Sequence, residues 1–258
     1  MNGVSSPPPI SVQLYSLREQ VAADFPAVLA RLGAKGYPGV ELAGLSGLTP
    51  DQLSHALTVA GLELSSAHVG LNVEGGFDAA LDLHQSLGCD TVVIPSLPHD
   101  AFSNVDDVRA QADLINGAAA TARAHGVTLG YHNHWWELAS MPDGRPALLH
   151  LFDHLDPDVI AEVDIYWAQV GGSDPEAIVA ELGPRVGLLH VKDGPADVPP
   201  SPMVAVGDGI VDVPAVLAAA PSARWHIVEL DRCATDMFDA VERSYDYLVG
   251  NGHSRGKA

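Results

Sequence analysis

Short apolar segments alternate with longer segments of mixed character along almost the whole chain. Eight of the short segments are rich in Val, Ile and Leu over four to six residues, as buried β-strands are. They occupy positions 10–14, 39–42, 64–69, 91–94, 127–131, 160–164, 186–191 and 225–230. Because strands that are covered on both faces show such continuous apolar runs, the pattern predicts a parallel sheet.

The longer segments carry apolar residues at spacings of three and four, which predicts helices. The helical positions are 25–32, 50–60, 77–87, 106–125, 175–182, 213–219 and 234–249. Thr49 and Asp174 each precede a first-turn proline, as at many helix starts. Repeated strand-then-helix units predict one α/β domain, a single (β/α)8 TIM barrel over positions 10–250. The Ser- and Pro-rich positions 1–9 and the polar positions 251–258 are predicted to be flexible tails.

Polar side chains gather where the predicted strands end, which is the face that carries the active site in such barrels. They are Gln13, Tyr15, Glu41, His68, His132, His134, Glu162, Asp164, His190, Lys192, Asp193, Glu229 and Asp231. A single histidine such as His68 is more often hydrogen-bonded within a core. Charged side chains are rarely buried unless they are paired or bind a metal, so the joint pattern indicates a shared site.

Four of these residues end four successive strands and would offer two imidazoles and two carboxylates to one divalent cation. The four are His132, Asp164, His190 and Glu229. This mixed nitrogen and oxygen set favours Mn2+, Zn2+, Co2+ or Fe2+, and it is also compatible with Mg2+. A nearby aromatic group has two interpretations, packing of the barrel lid or an apolar wall against a sugar ring. The group comprises Trp135, Trp136, Tyr166 and Trp167.

The composition narrows the class of partner. The formal net charge is -20, from 33 acidic and 13 basic side chains, which argues against nucleic-acid and anionic-membrane partners. The apolar runs are far shorter than a bilayer span, and positions 1–9 lack an export signal. The two cysteines, Cys89 and Cys233, cannot form a disulfide framework. We therefore expect a cytoplasmic protein with a small-molecule substrate, and a homo-oligomer is compatible with this composition.

On these residues the chain resembles the sugar phosphate isomerase/epimerase family of the xylose-isomerase-like TIM barrel superfamily. The resemblance covers nearly the whole length. It rests on SVQLYSLR at 11–18, GVE at 39–41, GYHNHWWE at 130–137, EVDIYW at 162–167, LHVKD at 189–193, VGDGIVD at 206–212 and VELD at 228–231. As an ordered set these motifs are specific for the superfamily, but they do not specify a substrate.

The resemblance implies one metal ligand from each of strands five to eight, namely His132, Asp164, His190 and Glu229. Relatives place a glutamate at the strand-five position, so Glu137 reaching back is the alternative to His132. Relatives also tend to carry a histidine further along strand six, where this chain has Trp167, and His134 becomes the candidate proton carrier. The loop carboxylate of Asp208 is often a glutamate in relatives.

The implied chemistry is isomerisation or epimerisation of a sugar or keto-sugar by proton abstraction next to a carbonyl, through a metal-stabilised enediolate. Glu229 would act as the base on one face, and Glu137 or His134 would return the proton from the other. Lys192 would neutralise a substrate oxygen. The side chains expected to bind substrate are Gln13, Tyr15, Glu41, His68, Trp167, Asp193, Asp208 and Asp231.

Three alternatives are open on the sequence alone. Dehydration of an inosose-type keto-polyol would use the same enediolate and expel a β-hydroxyl instead of being reprotonated. An endonuclease acting at abasic sites would share a related fold, although the net charge of -20 argues against it. A noncatalytic sugar-binding protein would keep the pocket without the reaction.

Overall fold

The chain folds as a closed barrel of parallel strands, described for residues 6–139, 141–197 and 201–257 in a computed structural model. Each strand pairs with its neighbours in sequence, and the eighth strand closes the barrel against the first. The strands of the described residues are β1 (Ile10–Gln13), β2 (Gly39–Leu42), β3 (Glu63–His68), β4 (Thr91–Ile94), β5 (Thr128–His132), β6 (Ile160–Asp164), β7 (Val186–Val191) and β8 (Trp225–Val228). The predicted (β/α)8 TIM barrel is confirmed.

Helices cover the outside of the barrel. In the described ranges they are α1 (Arg18–Lys35), α2 (Pro50–Ala60), α3 (Phe77–Ser86), α4 (Val105–Ala124), α5 (Ala147–His154), α6 (Ile165–Val170), α7 (Pro175–Leu182), α8 (Val213–Ala219) and α9 (Met237–Gly250). Thr49 and Gln52 form a capping box on α2, and Asp174 caps α7, so both predicted helix starts are found. The sequence patterns missed α5 and α6. Among the helices described, none is both long and apolar enough to span a bilayer.

The interior of the barrel is apolar at the end where the strands begin. The side chains that fill this end are Val93, Ile160, Leu188, Trp225 and Ile227. Two glycines make room for them, because a Cβ on Gly39 would lie 2.8 Å from the Trp225 ring and one on Gly187 would lie 2.7 Å from Ile160. Since alternate residues of a strand face the same side, the inward positions further along each strand belong to the polar residues at the strand ends.

The carboxyl-terminal segment packs against the barrel instead of forming a loose tail. The Arg255 N–H donates to the Pro8 carbonyl at 2.8 Å, and the Ile10 N–H donates to the Arg255 carbonyl at 2.9 Å. The Lys257 N–H donates to the Gly36 carbonyl at 2.8 Å. Residues 251–257, which we predict to be a flexible tail, are thus joined to the barrel by backbone hydrogen bonds that their polar composition did not reveal. Positions 1–5 and 258 of the predicted tails lie outside the described residues.

Candidate active site

The carboxyl ends of β5 to β8 bring four candidate ligand side chains together inside the barrel. We call His132, Asp164, His190 and Glu229 the four-residue site, and all four are buried. Their ligand atoms lie within 4.8 Å of one another. His132 Nε2 is 3.3 Å from Asp164 Oδ2, and His190 Nδ1 is 2.8 Å from Glu229 Oε2. Neighbouring ligands of a tetrahedral zinc ion are roughly 3.3 Å apart, so the donor set and its spacing suit a divalent ion.

Hydrogen bonds orient both imidazoles of the site. His132 Nδ1 donates to the Pro95 carbonyl at 3.0 Å, which leaves the lone pair of Nε2 directed at Asp164. His190 Nε2 lies 2.7 Å from Glu41 Oε2. Burial lowers the pKa of His132 well below its usual value, and the nearby charge of His190 adds to the shift. His132 therefore has the form in which histidine binds metals, a neutral imidazole held by its second nitrogen. Burial would lower the pKa of His190, but the charges of Glu162, Glu41 and Glu229 hold it well above its usual value, so His190 must lose a proton to bind a metal.

Lys192 lies beside the four-residue site with its side chain fully buried. Its ammonium nitrogen is 2.8 Å from Asp164 Oδ2, 2.6 Å from Glu229 Oε2 and 2.7 Å from Asp231 Oδ2. Burial alone would lower the pKa of Lys192, but the charges of these carboxylates hold it well above its usual value. The ammonium therefore serves the protein's own carboxylates, which differs from the expectation that it would neutralise a substrate oxygen.

Glu162 and His68 form a hydrogen-bonded pair that the sequence did not single out as a pair. His68 Nε2 is 2.6 Å from Glu162 Oε2, and His190 Nε2 is 3.2 Å from the same oxygen. Burial and the neighbouring charge of Glu41 raise the pKa of Glu162. No residue in the described ranges bonds the buried Oε1 of Glu162. Glu162 stands two residues before Asp164 on β6, and this shared strand face was the signal that could have assigned it a role.

Gln13 and Glu41 form hydrogen bonds below the four-residue site, inside the barrel, and do not line the cavity that opens over it. Gln13 Nε2 donates to Glu41 Oε2 at 2.8 Å, and Ser66 Oγ donates to Glu41 Oε1 at 2.6 Å. Both Gln13 and Glu41 are completely buried and neither lines the cavity over the site, so the structure does not bring them to the place where we expect substrate. Burial would raise the pKa of Glu41, but the charges of His68 and His190 lower it to about 2. Glu41 is therefore a carboxylate that orients His190.

Two adjoining cavities open over these residues. The inner cavity has a volume of about 400 Å³, and its lining includes Tyr15, His68, Pro95, His132, His134, Glu229 and Asp231. The outer cavity has a volume of about 290 Å³, and its lining includes His134, Trp135, Trp136, Trp167, Met203, Asp231 and Arg232. His134 and Asp231 line both. Of the side chains that we expect to bind substrate, Tyr15, His68, Trp167 and Asp231 thus line these cavities.

His134 lies between the two cavities as a neutral aromatic ring. It stacks on Trp136 with ring centres 4.4 Å apart and an interplanar angle of 4°, and it meets His132 edge-on at 5.0 Å. Burial, together with the neighbouring His132 ring and the charge of Lys192, lowers its pKa to about 2. A ring that resists protonation in this way is poorly suited to carry a proton, so the geometry disfavours the role expected for His134.

Glu137 does not face the four-residue site. Its Oε1 accepts from the Tyr131 hydroxyl at 2.7 Å, and its Oε2 accepts from the His134 N–H at 3.0 Å. Tyr131 precedes His132 on β5, so the two side chains point to opposite faces of the strand. Because Glu137 follows Tyr131 to the outer face, the structure is against Glu137 as the alternative metal ligand or as the residue that returns a proton.

Asp193 and Asp208 are also outside the cavities. The Asp193 carboxylate accepts four backbone N–H groups, from Gly194, Gly207, Gly209 and Val211. Asp208 pairs with Arg243 on the exposed surface of α9. Asp193 adjoins Lys192 on the chain and therefore points away from the barrel axis, where it holds the loop that carries Asp208. The structure therefore brings neither of these two carboxylates, which we expect to bind substrate, to the lining of the two cavities.

The fold and the site together define a (β/α)8 barrel with a candidate divalent-metal site at the carboxyl ends of its strands. The chain belongs to the xylose isomerase-like TIM barrel family, whose family model matches residues 29–232. This membership confirms the resemblance inferred from the motifs.

Solved structures share this fold over nearly the whole chain. A sugar phosphate isomerase/epimerase from Parabacteroides distasonis is 26% identical, with 98% of each chain covered and a TM-score of 0.83. The probable 3-DHS dehydratase AsbF of Bacillus anthracis is 15% identical, with 93% of this chain and 98% of that chain covered and a TM-score of 0.74. The IOLI protein with a binding zinc atom is 15% identical, with 95% and 98% covered and a TM-score of 0.70. At 15% identity the last two show the fold alone.

One curated relative also matches the sequence. It is the 2-epi-5-epi-valiolone 7-phosphate 2-epimerase of an Actinoplanes species, 27% identical over 129 residues. The match covers 50% of this chain and 45% of the relative, so it spans about half the length of each. The chain is thus similar to isomerases and epimerases of sugars and related polyols.

Proposed function

We propose that the protein is a divalent-metal-dependent isomerase or epimerase that acts on a sugar or keto-sugar by removing a proton next to a carbonyl. The observation that carries the proposal is the four-residue site opening into a cavity that His68 and Glu229 line from β3 and the end of β8. A divalent ion held by these four side chains would act as a Lewis acid toward the substrate carbonyl. Similarity to the Parabacteroides isomerase/epimerase supports the reaction class.

Glu229 is the base in this proposal. It lines the inner cavity, and Lys192 and His190 hold its pKa well below the usual value against the effect of burial. The carboxylate is therefore ionised at physiological pH, which is the state in which a general base starts. A pKa this low makes it a weak base, so the proposal relies on a divalent ion that would make the substrate C–H more acidic. Both cationic partners bond Oε2, which leaves Oε1 to face the reacting carbon.

His68 is the residue that exchanges a proton on the other side of the cavity. Its Nε2 is held by Glu162 Oε2 at 2.6 Å, so its Nδ1 is the ring nitrogen directed to the cavity. A carboxylate that fixes the far nitrogen of an imidazole sets its tautomer and orientation for proton transfer. His68 replaces His134 and Glu137 in this role, because neither of those has suitable geometry or protonation.

Solvent exchange tests the proposal directly. The protein, loaded with Mn2+, Zn2+ or Co2+ in deuterium oxide, is incubated with a panel of keto-sugars and inososes. Proton NMR follows the hydrogen on the carbon next to the carbonyl. We expect metal-dependent loss of that signal, abolished in Glu229→Gln. The His68→Asn variant should still exchange the substrate hydrogen with solvent but should convert the substrate slowly. It keeps a proton-carrying side chain on only one face of the substrate.

The products separate the reaction classes. A stereoisomer or a shifted carbonyl assigns epimerisation or isomerisation, whereas a product lighter by one water assigns dehydration on the same site. The absence of both exchange and conversion across the panel, in a protein that binds metal, would exclude the proposed reaction and favour a sugar-binding protein.

A further inference from the structure

The ammonium of Lys192 contacts the same oxygen atoms that a metal ion in the four-residue site would use. Asp164 Oδ2 is the oxygen nearest His132 Nε2, and it is also 2.8 Å from Lys192 Nζ. Glu229 Oε2 is bonded by His190 Nδ1, and it is also 2.6 Å from Lys192 Nζ. The ammonium of Lys192 therefore neutralises part of the negative charge of the two carboxylates in the site.

Two cations that bind the same two oxygens repel each other. A divalent ion on Asp164 Oδ2 and Glu229 Oε2 would lie within a few ångströms of the ammonium, in an interior where water screens the repulsion weakly. The lysine side chain can relieve this repulsion, since its ammonium is a point charge on a flexible stem with rotatable donors. It needs another acceptor within reach.

Asp231 provides that acceptor. Its Oδ2 already lies 2.7 Å from Lys192 Nζ, and its side chain is 30% exposed at the edge of both cavities, whereas Asp164 is completely buried. Asp231 stands two residues after Glu229, so it faces the same side one step further out. The Trp167 ring, whose centre is 5.3 Å from the ammonium, borders the same space.

We propose that Lys192 is an exchangeable internal cation, which neutralises Asp164 and Glu229 in the metal-free protein and withdraws to Asp231 when a divalent ion binds the four-residue site. The inference rests on the proposed metal site and adds a positioning role for two residues. Lys192 keeps the empty ligand set charge-balanced and folded, and Asp231 makes room for the metal by holding the displaced ammonium.

This exchange predicts effects of opposite sign. Lys192→Met removes a competitor for the carboxylates, so the metal should bind more tightly, by roughly 10-fold or more. Asp231→Asn removes the alternative partner of the ammonium, so the metal should bind more weakly, by about 3-fold or more. A purely structural role for both residues would weaken metal binding in both variants.

The double variant separates the lysine's effect from simple attraction between Asp231 and the metal. If Asp231 acts through Lys192, then Asp231→Asn should change the affinity by less than about 2-fold in the Lys192→Met background. If Asp231 attracts the metal directly, the loss should persist in that background. Lys35→Met is the matched control, because it removes an amine that is paired with Asp246 on the outer surface.

The experiment is calorimetric titration of the full chain with Zn2+ and with Mn2+, with circular dichroism to verify folding. The exchange is refuted if the folded Lys192→Met protein binds Zn2+ or Mn2+ no more tightly than the wild type does. That result would not argue against the metal site itself. A wild type that binds neither ion overturns both. Should Lys192→Met fail to fold, the crystal structure of the Zn2+-loaded wild type decides, since the ammonium must then have left Asp164 Oδ2 and kept Asp231.

Discussion

Replacement of Asp193 tests whether this buried carboxylate holds the loop between β7 and α8. Its Oδ1 accepts the N–H groups of Gly194 at 2.8 Å and Val211 at 3.2 Å, and both bonds are buried. Its Oδ2 accepts the N–H groups of Gly207 at 3.0 Å and Gly209 at 3.1 Å, and these are partly buried. The two oxygens thus differ in how well water could replace them.

The magnitudes follow from that difference. Asp193→Ala leaves two buried N–H groups without a partner, at about 1–3 kcal/mol each, so the free energy of unfolding should fall by roughly 2–6 kcal/mol. Asp193→Asn can keep its carbonyl oxygen toward the buried pair and give up only the pair that water reaches, which costs about 1–2 kcal/mol. The larger loss is a substantial fraction of the ~5–15 kcal/mol that stabilises a typical domain.

Urea denaturation followed by circular dichroism measures both values. Asp208→Asn is the matched control, because it makes the same carboxylate-to-amide change on the exposed side of the same loop and should leave stability unaltered. The reasoning fails if Asp193→Ala lies within about 1 kcal/mol of the wild type, or if Asn is as damaging as Ala.

Two further predictions concern parts of the molecule away from the cavities. Deleting residues 254–258 removes the backbone hydrogen bonds that Arg255 and Lys257 make to the barrel, which stabilise the fold by about 1 kcal/mol each. The thermal midpoint of unfolding should therefore fall by several degrees, whereas deleting a loose tail would not change it. Burial raises the pKa of Glu137 from its usual value of 4.5 to about 7, so the stability that this group contributes is present below pH 4.5 and is lost as the pH rises through 7. The free energy of unfolding of Glu137→Gln, relative to that of the wild type, should therefore rise by up to about 3 kcal/mol between pH 4.5 and pH 8. Urea unfolding at both pH values measures this difference, and an equal difference at the two pH values would contradict the prediction.

The strands were predictable because their signal is local. Each buried strand is a short run of apolar residues bounded by turns, and the barrel follows from the regular alternation with helices. The missed helix α6 shows the limit of such patterns. Its first four residues, Ile165 to Ala168, are all buried, so it has no polar face to reveal a helical period, and it starts directly at Asp164 without a loop.

The site was predictable as far as strand geometry extends. The inward positions of β5, β7 and β8 follow from alternation, and His132, His190 and Glu229 meet as expected. The same alternation assigns Glu162 to the inner face with Asp164 and excludes Asp193, which adjoins the inward Lys192. Alternation extends only a residue or two past a strand end. Glu137 lies further beyond the end of β5, after the chain has turned, which is why its outward position could not be foreseen.

Charge balance makes the residues of this interior interdependent. The carboxylates of this centre are the buried Glu41, Glu162, Asp164 and Glu229 and the partly exposed Asp231. Among the described residues, Lys192 is the only lysine or arginine paired with any of them. The remaining compensation must come from a protonated carboxyl such as that of Glu162, whose pKa is raised to about 7, from protonated imidazoles or from a divalent ion. An unpaired charge is strongly disfavoured at such depth. Removing any one partner therefore shifts protons or cations among the others, so single substitutions here will not add. A double-mutant comparison, such as Lys192→Met with Asp231→Asn, is the measurement that isolates one contact from this shared balance.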